Sequence, residues 1–163
     1  MTNVAKKNPV YLKQTKKLKI GIYIRVSTEE QAQNEEGSIK NQEQRLRHHI
    51  EGRNQNGDFG ELTDVFIDRA KSGKDTNRPE LQRMLKAIQD GKINFVMATE
   101  LSRISRSIKD FSEIWSMMQS VGCGFMSLRE NFDSTTAAGE MLMVRMEKFL
   151  TMSMDGLLVV AYL

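Results

Sequence analysis

Four short runs of β-branched and aromatic residues, separated by segments whose apolar residues recur at helical spacing, constrain this chain more than any other feature. The first run, Lys19 to Val26, contains Ile20, Ile22, Tyr23, Ile24 and Val26 and stops at Ser27-Thr28. A polar, acidic stretch from Thr28 to Gly37 follows, and then Ile39, Leu46 and Ile50 predict a helix from about Ser38 to Gly52. Residues 53–61, rich in Asn, Gly, Gln and Asp, read as loop. A second strand is predicted over about Thr63 to Ala70, and the polar stretch Lys71 to Asn77 reads as a loop. Arg78-Pro79-Glu80 opens a helix, with proline at a tolerated first-turn position and Leu81, Met84, Leu85 and Ile88 on one face. Ile93 to Leu101 is the third predicted strand, and Ile108 to Val121 a helix burying Ile108, Phe111, Ile114, Trp115 and Met118. Gly122 stops that helix ahead of a fourth strand, Gly124 to Arg129. Strands alternating with helices predict an α/β fold, a mostly parallel sheet with helices on both faces.

At 163 residues the chain is one domain by length, enough to bury a single core. Its 39% hydrophobic and 28% charged residues, with two prolines, are those of a globular protein rather than a disordered one. The lone Cys123 allows neither an internal disulfide nor a multi-thiolate zinc site, which fits a reducing, intracellular setting. A last helix is predicted from Ala138, and residues 141–154 hold five of the eleven methionines. That stripe reads either as core packing or as a helix that changes partners in an oligomer. The apolar end, Leu157 to Leu163, is far shorter than the ~20 residues that span a bilayer; it is expected to be covered, or to mark a cut through a longer protein.

Net charge is +3, but its distribution matters more than its sum. Residues 1–19 carry six lysines and no acid, so the other 144 positions hold 18 bases against 21 acids. Residues 1–18 are thus a basic arm, read either as a solvated tail or as a contact to phosphate.

In open α/β sheets, functional groups collect at the carboxyl ends of the parallel strands. The predicted strand ends carry Arg25 and Ser27, then Asp68, Arg69 and Ser72, then Ser102, Arg103 and Arg106. Arginines with hydroxyls at one sheet edge suit phosphate, since guanidinium stays charged and offers forked donors; singly, each arginine also reads as a surface charge. If the third strand turns helical at its end, Arg103 and Arg106 share a face and clamp one phosphate. Rival chemistries find less support. His48 and His49 are adjacent on a predicted helix and point apart, Asp64 reads as a turn residue, and neither a metal-binding His/Cys/acid cluster nor a glycine-rich nucleotide loop is present. A metal-free serine nucleophile assisted by arginines remains.

The ordered set Tyr23-x-Arg25-Val26-Ser27-Thr28-x-x-Gln31, Gln42, Asp68-Arg69-x-x-Ser72-Gly73, Arg78-Pro79-x-Leu81 and Leu101-Ser102-Arg103-Ile104-Ser105-Arg106 resembles the catalytic domain of serine recombinases. This is the resolvase/invertase and large serine integrase/transposase family, and the resemblance runs over about residues 18–140. It implies a resolvase-like catalytic domain over 19–137, with 138–163 the start of a long dimerisation helix and an apolar end. It further implies that Ser27 attacks a DNA phosphodiester, forming a 5′-phosphoseryl link, with Arg25, Arg78, Arg103 and Arg106 around the phosphate. Gln31, Gln42, Asp68, Arg69 and Ser72 fall in or around that site, and Tyr23 supports the first strand. No metal, ATP or other cofactor is implied; DNA is the partner, bound by a homodimer and homotetramer, with no membrane, in the bacterial cytoplasm at the nucleoid.

Two departures qualify the resemblance. Many members carry an aspartate where this chain has Ser102, which leaves Asp68 as the nearest candidate for a carboxylate acid or base. Beyond about Arg145 the expected charged continuation into a DNA-binding domain is missing, so target recognition is expected to lie outside this chain. A catalytically inactive remnant that binds DNA or oligomerises, and a phosphate-binding enzyme of small molecules, are the competing readings.

Overall fold

The computed structural model describes residues 17–69 and 78–154, with the side chains of 28–33 and 146–154 left aside. In chain order the elements are β1 (Leu18–Val26), α1 (Thr28–Gln55), β2 (Gly60–Arg69), α2 (Pro79–Gln89), β3 (Phe95–Ala98), α3 (Leu101–Ile104), α4 (Ile108–Ser120), β4 (Gly124–Ser127), β5 (Phe132–Asp133) and α5 (Ala137–Met154). The sheet runs β2-β1-β3-β4-β5, parallel throughout except for the β4–β5 pair. The predicted α/β class holds, and β1 lies inside the sheet, flanked by β2 and β3.

Because side chains alternate along a strand, β1 feeds two cores. Ile20, Ile22, Ile24 and Val26 meet Ile39, Leu46 and Ile50 of α1 on one face. Tyr23 belongs to the opposite core, with Leu81, Met84 and Ile88 of α2 and Phe111, Trp115 and Met118 of α4. Arg25 shares Tyr23's parity, which turns it toward α2 at the carboxyl end of the strand. Gly21 is required by the same packing: a Cβ there would stand 2.7 Å from Ile93 Cδ1 and 2.9 Å from the Phe66 ring. Burial pushes the Cys123 thiol up to about 12, so it is a core residue and not a nucleophile.

Several boundaries differ from expectation for local reasons. Helix α1 starts at Thr28, directly after β1, and is interrupted at Asn34 (φ −167°, ψ 81°). The Asn34 side chain accepts a hydrogen bond from the Gly37 backbone N–H at 3.0 Å, so a new helical segment is capped there, close to the predicted start at Ser38. The same helix runs on to Gln55, and β2 begins at Gly60, so the expected loop over 53–61 shrinks to four residues. Strand β3 has four residues rather than nine, since the chain turns helical at Leu101. Ile108 opens α4 and is 47% exposed, and Ile114 only packs against the core edge; neither is buried as expected. Asp64 is no turn residue: it lies inside β2, 2.6 Å from Arg83 Nη1. Two-residue β5 carries no periodicity from which a strand could be read.

Candidate active site

The carboxyl ends of β1, β2 and β3 converge with the start of α2 and with α3, and Tyr23, Arg25, Gln42, Asp68, Arg78 and Arg103 of the predicted set are joined there. In β1, Arg25 sits opposite Asp68 of β2. Its Nε donates to the Arg103 carbonyl at 3.2 Å and its Nη2 to the Ser102 carbonyl at 2.7 Å. Arg103 returns the contact, Nη1 donating to the Arg25 carbonyl at 2.9 Å. That carbonyl also accepts from Gln42 Nε2 at 3.2 Å; Gln42 is buried, and Thr99 Oγ1 donates to its Oε1. Gln42 therefore braces the β1 backbone from the α1 side.

Asp68 is 5% exposed and has three donors: the Tyr23 hydroxyl at 2.7 Å and the backbone N–H groups of Glu80 and Leu81 at 3.0 and 2.9 Å. Those two amides belong to the first turn of α2, whose own N-cap residue, Arg78, makes no side-chain cap. The β2 carboxylate thus caps α2 from another element. The Tyr23 hydroxyl in turn accepts from Arg78 Nε at 3.1 Å and Nη2 at 2.8 Å; burial, chiefly, holds its pKa well above the ordinary tyrosine value. Arg78 continues to the Arg103 carbonyl through Nη2 at 2.6 Å and to the Ile104 carbonyl through Nη1. Four of its donor contacts are already made, and a guanidinium has five N–H groups. Arg78 is a strut tying α2 and Tyr23 to the 103–104 segment.

Arg103 and Arg106 do not share a helical turn. Ser105 is extended (φ −155°, ψ 147°), so α3 ends between them and Arg106 lies exposed beyond it. Arg106 nevertheless stays within the field of the others. Burial, then the charges of Arg78, Arg106 and Arg103, lower the Arg25 pKa from its ordinary value. Like charges gathered at one sheet edge repel, and an anion is the ligand that relieves them.

Ser27 occupies the junction between β1 and α1, two residues beyond Arg25, and is half-buried. Gln31 falls in the first turn of α1, where only the backbone is described. Ser72 lies outside the described residues, as do residues 1–16 of the basic arm and 157–163 of the apolar end. Arg69, at the end of β2, turns to the acidic start of α1, with Nη1 paired to Glu36 and 3.2 Å from Glu35.

One participant escaped the sequence reading. Glu100, between β3 and α3, accepts from Ser102 Oγ at 2.8 Å and pairs with Arg103 Nε at 3.0 Å and Arg129 Nη1 at 2.5 Å. With Ser38, Gln42, Thr99 and Arg103 it lines a cavity of about 290 Å³. Its only sequence signal is its place beside the Leu101-to-Arg106 motif. Among the described residues no cluster of His, Cys, Asp or Glu is placed to hold a metal ion, and no helix is long and apolar enough to cross a membrane.

Comparison with known proteins identifies the family and the fold. Residues 20–155 match the family described as Resolvase, N terminal domain. The fold is similar to the N-terminal catalytic domain of TP901-1 integrase, with a TM-score of 0.72 and 28% identity over 84% of this chain and 97% of that one. It is equally similar to a resolvase family site-specific recombinase from Streptococcus pneumoniae, with a TM-score of 0.71 and 25% identity over 86% and 90% of the two chains. The DNA-invertase hin of Salmonella typhimurium is 36% identical over 75 residues, 46% of this chain and 38% of that protein. The matches thus span about two fifths of the length of such curated relatives. With residues 20–155 matching the family and its fold present in space, this chain belongs to the resolvase-type serine recombinase family, corresponding to that family's N-terminal domain.

Proposed function

We propose that this domain cleaves and rejoins DNA strands, with the Ser27 hydroxyl oxygen as nucleophile. The oxygen attacks the scissile phosphorus and forms a phosphoserine ester, while the P–O bond to the neighbouring 3′ oxygen breaks and that oxygen leaves as a hydroxyl. The reverse attack by a 3′ hydroxyl releases serine. One phosphoester replaces another at each step, so religation needs no ATP.

The observation that carries this reading is the gathering of Arg78, Arg103 and Arg106 around Arg25, two residues ahead of Ser27 in the chain. Guanidiniums fixed before the substrate arrives stabilise charge developing on the phosphoryl and leaving oxygens without reorganising. Their parts differ. Arg25 spends two donor contacts on the 102–103 carbonyls and keeps Nη1 for a phosphate oxygen. Arg106 is exposed and reaches the substrate directly, whereas Arg78 chiefly orients the others. Asp68, occupied by Tyr23 and α2, serves as architecture and not as the acid or base.

DNA is the substrate, and the active assembly contains more than one copy of the chain. Met141, Leu142 and Val144 of α5 are 57%, 42% and 44% exposed while Met143 is buried, so α5 offers an apolar face for a second copy. The site of action is the bacterial cytoplasm, and homodimers and homotetramers on DNA are the expected states.

The test is a nicked suicide substrate incubated with the full chain, followed by mass spectrometry of the Ser27 peptide. A phosphoserine–DNA adduct on Ser27, absent from a folded Ser27→Ala variant, is expected. Adducts that persist in that variant would remove Ser27 from the role. A wild-type chain that forms none is an inactive remnant, and the reading fails.

A further inference from the structure

The Glu100 carboxylate is out of place in a phosphate-seeking cluster. Its side chain and that of Arg103 are each only 15% exposed, and its charge opposes any anion that approaches Arg103. Burial alone would raise its pKa. The hydrogen bonds from Arg129 and Ser102 and the charge of Arg103 outweigh burial and hold it below the ordinary carboxylate value, so it stays ionised at neutral pH. An ion that weakens binding of the substrate needs a compensating geometric role, and the contacts of Arg103 supply one.

Arg103 is anchored at two separate atoms. Nε lies 3.0 Å from Glu100 Oε1 in an ion pair that lacks hydrogen-bond geometry, and Nη1 donates to the Arg25 carbonyl at 2.9 Å. A hydrogen bond and an ion pair at different positions on a planar, rigid fork restrict where the guanidinium can lie. Glu100 is itself fixed from both sides, by Ser102 Oγ on one oxygen and Arg129 Nη1 on the other.

We propose that Glu100 is a positioning residue that holds the Arg103 guanidinium in place for the phosphoryl-transfer step, while its charge weakens DNA binding. This rests on the recombinase reading above. It predicts opposite effects on rate and affinity when the charge is removed: orientation is lost, and so is repulsion of phosphate. A purely structural residue would not divide its effects in this way.

The experiment measures Ser27–DNA adduct formation by the full chain on a nicked substrate over a range of DNA concentrations. Glu100→Gln is expected to form adduct about ten- to a hundredfold more slowly at saturating DNA, with half-saturation at equal or lower DNA concentration. Glu100→Asp, which keeps the charge on a shorter stem, is expected to recover part of the rate. A Glu100→Gln rate at saturation equal to or above wild type makes Glu100 a screening charge only and overturns the proposal. Failure of the wild-type chain to form adduct would instead overturn the recombinase reading itself. Should Glu100→Gln not fold, the arginine side-chain NMR spectrum of the wild-type chain decides. The Arg103 Nε resonance must then shift with a midpoint below 4.5, the ordinary carboxylate value, and a resonance that ignores the titration overturns the proposal.

Discussion

Arg25 and Arg103 each hold the other's backbone: Arg25 Nε donates to the Arg103 carbonyl at 3.2 Å, and Arg103 Nη1 donates to the Arg25 carbonyl at 2.9 Å. The two residues are 78 positions apart, so this reciprocal pair joins the end of β1 to α3 as one unit. Alanine at either position removes a charged donor from the site and releases the other's carbonyl. Each single variant is expected to lower adduct formation by about 10²–10³. The double variant is expected to unfold in urea less than additively, with a coupling of about 1 kcal/mol. Strict additivity in a double-mutant cycle would show that the two contacts are independent.

Asp68 is predicted to matter for stability before it matters for chemistry. Asp68→Ala leaves the Tyr23 hydroxyl and two α2 amides without their acceptor, at a cost of about 3 kcal/mol in urea unfolding. Full stability with abolished cleavage would return Asp68 to an acid–base role.

His49 gives a pH dependence whose sign follows from its surroundings. Burial first, then Arg53, lower its pKa from the ordinary 6.5, so the folded state favours neutral imidazole. That contribution is complete above 6.5 and is lost as pH falls through the lowered folded value. Urea midpoints are expected to decline on acidification below 6.5, and His49→Gln to flatten that part of the decline. An identical pH profile in the variant would show that other groups account for it.

Gly21→Ala tests the packing of β1 over the α2 side. The added methyl would meet Ile93 and the Phe66 ring at under 3 Å, and the Phe66 ring is buried and closely packed. A loss of about 1–3 kcal/mol in thermal or urea unfolding is expected. A neutral substitution would mean that Ile93 and Phe66 can move aside together.

Much of the architecture was legible locally. The β-branched runs at 20–26 and 65–67, and the spacing of Leu81, Met84 and Ile88, report which elements form, because alternation and helical period reflect which side chains face a core. Asn34 shows where that reading stops: a side-chain cap three residues ahead of Gly37 restarts a helix inside a polar stretch without hydrophobic periodicity. Ile108 erred the other way, matching the period but standing at the helix end, beyond the core.

For the candidate site, the sequence by itself named the candidates: Ser27 after the first strand, the arginines near strand ends, and ordered motifs that resemble a recombinase catalytic domain. It did not determine what each charged group does. Asp68 proved to be a cap for α2, Arg78 a strut, Arg69 a partner of Glu35 and Glu36, and Glu100 the carboxylate against Arg103. Tertiary structure decided these roles because most depend on pairings between distant segments. Tyr23 meets Asp68 across 45 positions and Arg78 across 55, through parallel register and helix docking that no local pattern encodes. Glu100 and Arg103 are only three positions apart, yet even their contact follows from where α3 begins and ends.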